Sequence, residues 1–161
     1  MKSDKAFLNG TIAFVIVLVS GLIQNTDILS IGQLKPNLIL VVLFALAFFI
    51  PSAPFYALLA VLADAIVRFH PFFVRMDFVF LFLVLASYWV SGRLPSKPMF
   101  NYVIIITIGT LLLYALASPS FIIKAPVTVF FELIYNNIIG FIIFLVFQGI
   151  FGNVSTRRSS Y

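Results

Sequence analysis

The chain has 161 residues, of which 63% are apolar and only 9% charged, with ten Lys and Arg against five Asp and Glu. A soluble domain carries roughly half apolar and about a quarter charged residues, so there are too few charges here to coat a water-soluble globule. A soluble enzyme, a disulfide-stapled secreted scaffold and a disordered chain are excluded, which leaves an integral membrane protein built of spanning helices.

A span needs about 20 residues, so five or six would use most of the chain. The opening Met1-Lys2-Ser3-Asp4-Lys5 and the apolar run behind it have the outline of a signal peptide, yet no small-x-small cleavage site follows. The run is therefore read as a retained first helix over 6–23, ended by the polar turn Gln24-Asn25-Thr26-Asp27. A second segment spans 36–50, because Pro36 suits the first turn of a helix, where a missing N–H costs nothing. Pro51-Ser52-Ala53-Pro54 interrupts what would otherwise be one long run, and two prolines so close favour a turn. The third segment, 54–69, is short for a full span and carries Asp64 and Arg68 shortly before His70. Segments two and three read as a helical hairpin. A fourth follows over 78–90, with Tyr88 and Trp89 at its end, where interfacial aromatics are expected. The loop Ser91 to Pro98 leads to a fifth at 99–117, and a loop starting at Ser118-Pro119-Ser120 leads to a sixth at 127–151. The tail 153–161 is polar. Its Asn153-Val154-Ser155 matches a glycosylation sequon and is discounted, being placed on the cytoplasmic side.

Six spans put both termini on one side. That side holds Lys2, Lys5, Arg93, Lys97, Arg157 and Arg158, six basic residues against four (Lys35, Arg68, Arg75 and Lys124) on the other. The positive-inside rule then places both termini in the cytoplasm. The basic residues are scattered singly, which suits topology anchors, and no nucleic-acid partner is expected. With no cysteine and a single histidine, His70, neither a metal site nor thiol chemistry is expected.

Ionisable residues in a span are expensive, roughly 2.5–3.5 kcal/mol at the centre, so Asp64 and Glu132 stand out. The topology puts both in the non-cytoplasmic leaflet, where neighbouring helices would let them share a polar cluster with Arg68. Ala53, Ala57, Ala60 and Asp64 step by four, three and four onto one small-sided face, which lets another helix approach closely. Asp64 and Arg68 are spaced to pair. Glu132, Asn136 and Gly140 form a second face, flanked by Asn137, turned to segment three or to a partner. Two carboxylates can do acid–base work, but packing or partner contact is the reading taken here, with ligand or ion binding second. No HExxH, GxSxG, nucleotide loop or GxGD-type motif accompanies them, so no catalytic, cofactor or metal role is assigned and an enzyme is not expected. Thr107, Thr110 and Tyr114 read as helix-packing polar residues.

Three stretches together resemble MreD, the rod-shape-determining membrane protein family. They are Lys35-Pro36-Asn37-Leu38-Ile39-Leu40, the run Ala57 to Phe69 with its aspartate, and Glu132-x-x-x-Asn136-Asn137. The likeness covers roughly residues 10 to 150. The family is usually glycine-rich before the aspartate, where this chain has Ala57, Ala60 and Ala63. The resemblance implies an all-α bundle of about six transmembrane helices, similar to the substrate-binding subunits of energy-coupling-factor transporters. It further implies a non-enzymatic component of the bacterial inner membrane that scaffolds the cell-shape and peptidoglycan-synthesis complex, the elongasome. Its partners would be an MreC-like bitopic protein and cell-wall synthesis enzymes. The alternative is a substrate-binding subunit of an energy-coupling-factor vitamin or small-molecule transporter. Against it, the first helix carries only Ala6 and Ala13, which lack the four-residue spacing of those subunits' coupling contact.

Overall fold

The computed structural model describes residues 2–32, 34–68, 75–95 and 97–152, with the backbone alone for residues 2–4 and 68. Seven helices make up the described chain: α1 (Lys2–Gln24), α2 (Leu38–Phe49), α3 (Ala53–Arg68), α4 (Arg75–Ser91), α5 (Pro98–Ala117), α6 (Pro119–Lys124) and α7 (Pro126–Phe151). Among the described residues there is no strand, only one antiparallel bridge, between Ile31 and Leu34. Three helices are long and apolar enough to cross a membrane: α1 from Lys5, α5 and α7. The apolar α2 has 12 residues and α3 has 16, which at 1.5 Å per residue makes them about 18 and 24 Å long. Both are shorter than the roughly 30 Å hydrocarbon core of a bilayer.

The core is built around α2. All twelve of its residues are buried, as befits a helix that is apolar on every side. It packs against α1, α3, α4, α5 and α7. Two tyrosines lock neighbours onto its backbone: Tyr56 on α3 donates to the Leu43 carbonyl and Tyr102 on α5 to the Val41 carbonyl, each at 2.9 Å. Towards the end of α2, Phe48 and Phe49 interlock with Tyr102, Phe144 and Phe147, with ring centroids 4.8–6.1 Å apart.

Several boundaries differ from the sequence expectation for physical reasons. Pro36 lies ahead of α2, not in its first turn. Asn37 is the N-cap, because its side chain can accept from the Leu40 N–H and proline has no such group. The 51–54 break is a three-residue turn: Ile50 caps α2, and α3 starts at Ala53 with Pro54 in its first turn. α4 begins earlier, at Arg75, and takes in a buried Asp77 in its first turn, where the helix dipole favours an acid. The expected loop after segment five contains α6, a short helix framed by Pro119 and Pro126, each opening a helix.

The start of α1 and the end of α7 lie at one end of the bundle. Lys5 on α1 and Phe151 on α7 line the same groove with the α2–α3 turn. Tyr88 donates to the Pro51 carbonyl at 2.7 Å, so the α4–α5 turn, with Arg93 and Lys97, lies at this end too. Trp89 is 61% exposed there and carries the Arg93 guanidinium 3.4 Å over its ring.

Candidate functional site

The densest polar grouping is a seam between α5 and α7. Tyr114 donates to the Glu132 carboxylate, Asn136 donates to Thr110 at 3.4 Å, and Asn137 donates to Thr107 at 3.2 Å. The two helices run antiparallel, so positions 107, 110 and 114 on one meet 137, 136 and 132 on the other. Helical periodicity creates the match, since steps of three and four keep residues on one face. Gly140 continues the α7 face. A Cβ there would sit 2.3 Å from Ile106 Cδ1 and 3.3 Å from Val41 Cγ1, so only glycine lets α7 approach α5 and α2 this closely.

Asn136, like Thr110, is only 1% exposed. Its Oδ1 accepts from the Asn37 N–H at 2.9 Å while its amide turns to Thr110. One side chain thus ties α7 to α5 and to the N-cap of α2. Glu132, 8% exposed, lies beside the Lys35 backbone. Its partner Tyr114 is covered by α6, whose Phe121 stacks on the phenol with centroids 5.5 Å apart. Around this end the connection between α1 and α2 is pinned by Gln24 accepting from the Leu38 N–H at 2.6 Å and by Tyr135 donating to the Leu29 carbonyl at 2.8 Å. An exposed Lys35–Asp27 ion pair at 3.2 Å adds little.

Asp64 is buried, 6% exposed, near the end of α3. Its helix and that of Glu132 are not among the packed pairs, the neighbour relation that a shared cluster with Glu132 would need. α3 packs on α1, α2 and α4, whereas α7 packs on α2, α5 and α6. Topology carries no information on packing order. The side chain of Arg68, the expected partner of Asp64, lies outside the described residues, as do His70 and the tail 153–161. The alanine face also shifts: Ala60 is buried, Ala57 half-buried and Ala53 exposed. The buried face of α3 is centred on Tyr56, Leu59, Ala60 and Ala63, because Tyr56 must point inward to reach the Leu43 carbonyl of α2. Face α1 of this interface supplies a small residue in return: a Cβ on Gly21 would sit 2.7 Å from Ile66 Cγ2.

Tyr56, Tyr102 and Gln24 were not singled out by sequence. A tyrosine in an apolar helix signals only that its hydroxyl needs an acceptor, not which helix supplies it. Among the described residues no three His, Asp or Glu gather as a metal site. The chemistry available in the seam is interhelical hydrogen bonding, each bond contributing on the order of 0.6 kcal/mol and at most about 1.7. No protein-family model, curated protein or solved structure matches this chain.

Proposed function

We infer that this chain is a non-enzymatic, multi-pass component of the bacterial inner membrane, a scaffold of the MreD type for the cell-wall elongation complex. One observation carries the reading. Two of the stretches behind the resemblance, Lys35-Pro36-Asn37 and Glu132-x-x-x-Asn136-Asn137, join in space through the Asn37–Asn136 hydrogen bond. The residues of these motifs serve as struts between helices, which is the use a scaffold makes of intramembrane polar groups. Both termini face the cytoplasm in this reading, with the basic end of the bundle beneath the inner leaflet.

Co-purification in mild detergent from the native host, with mass spectrometry of what is retained, tests it. An MreC-like bitopic protein or cell-wall synthases should be recovered. Recovery of an ATPase with a transmembrane coupling subunit would instead identify a transporter's binding subunit and overturn the proposal.

A further inference from the structure

The first turns of α1, the α2–α3 turn and the last turn of α7 enclose a groove of about 810 Å³. Its mostly apolar walls include Phe14, Phe49, Phe55 and Phe151, and its polar lining is Lys5, Asn9, Thr11 and Ser52. α1 and α7 each pack on α2 but share no packed interface, and the groove occupies the gap between them. Its volume lies within the ~300–1,000 Å³ typical of sites that enclose a small molecule. Apolar walls give water nothing to bond, so hydrocarbon fills such a gap in a bilayer.

Charge selects what the hydrocarbon is attached to. The groove's end of the bundle holds Lys5, Arg93 and Lys97, and the first turn of α1 adds Lys2 and Asp4, so the balance there is basic. Asp27, Asp64, Asp77 and Glu132 all lie in the opposite half, on or beside the far ends of α1, α3, α4 and α7. Basic residues at a membrane surface attract anionic headgroups. We propose that the groove holds one anionic phospholipid, with an acyl chain among Phe14, Phe49, Phe55 and Phe151 and its phosphate against Lys5 and Ser52. The lipid fills the space between α1 and α7 and is selected by its headgroup.

Native mass spectrometry of the full chain tests this, with phosphatidylglycerol or phosphatidylcholine added at equal concentration. One phosphatidylglycerol should be retained with about fivefold preference, the effect of a single basic residue near the surface. Lys5→Gln should bring that preference towards unity while leaving the thermal midpoint unchanged, since Lys5 is exposed. Ala6→Trp puts an indole into the groove from an exposed position and should reduce retention of both lipids. Equal retention of the two lipids by the unaltered chain overturns the proposal. So does phosphatidylglycerol retention that neither variant changes. Cross-linking from Ala6→Cys in native membranes to another protein's helix, at a yield that added phosphatidylglycerol does not lower, also overturns it and identifies a protein occupant. These readouts use the isolated groove and stand apart from the identity of any elongation partner.

Discussion

Asn136 shows how much one side chain decides in this fold. Its amide satisfies a half-buried backbone N–H at Asn37 and a hydroxyl at Thr110. Leucine would fill similar space and leave that N–H without an acceptor, a loss of about 1–3 kcal/mol. Asn137 is half-buried and bonds its own helix, through the Leu133 carbonyl, as well as Thr107. Asn136→Leu should therefore lower stability in detergent unfolding by clearly more than Asn137→Leu. Equal losses would show that the Asn37 contact carries no weight. The sequence marked both asparagines and Glu132 as unusual because polar groups in an apolar helix need a reason to be there. It could not say which of them closes a contact between distant elements, since Asn136 and Asn37 are 99 positions apart.

At the scale of the helix, close approach depends on glycines at crossings. Gly109 on α5 faces α2, and a Cβ there would lie 2.3 Å from Phe44 Cε2 and 2.5 Å from Cζ. Phe44 is fully enclosed, 1% exposed, so its ring has little room to move. Gly109→Ala should destabilise by about 1–3 kcal/mol through overpacking, despite the better helix propensity of alanine. Adding Phe44→Leu should recover part of that loss in the same unfolding measurement. A stabilised Gly109→Ala would mean the helices sit farther apart. The element pattern itself was largely legible. Prolines and polar clusters punctuate the apolar runs, and each expected segment has a helix at its place. The α6 helix was not, because six residues between two prolines have neither the length nor the periodicity to stand out from a loop.

For the whole molecule, the testable feature is that helix ends sort to two sides. Lys97 lies at the same end as the start of α1 and the end of α7, and Lys124, between α6 and α7, at the other. The chain contains no cysteine, so single substitutions report without background. With a membrane-impermeant thiol reagent outside intact spheroplasts, Lys124→Cys should label and Lys97→Cys should label only after lysis. The opposite pattern would invert the orientation, and labelling of both from one side would remove the crossing between them. The expected outcome would put the groove's basic rim on the cytoplasmic face, where anionic lipids concentrate.

Composition and long unbroken apolar runs determined that this chain is helical and belongs in a membrane, because 9% charged residues cannot hydrate a globule and continuous apolar segments, unlike the alternating strands of a barrel, satisfy their backbone within helices. Punctuation by proline and polar clusters determined where the helices lie. Which helices touch was decided only by tertiary structure. Apolar faces in lipid carry no address, so nothing local in α3 distinguishes α1 from α7 as a neighbour. Side-chain shape and hydrogen-bond geometry supply that address. Tyr56 and Tyr102 reach for carbonyls on α2, Gly109 and Gly140 make room, and Asn136 joins three elements, so α2 takes the centre and Asp64 and Glu132 settle on helices that are not a packed pair.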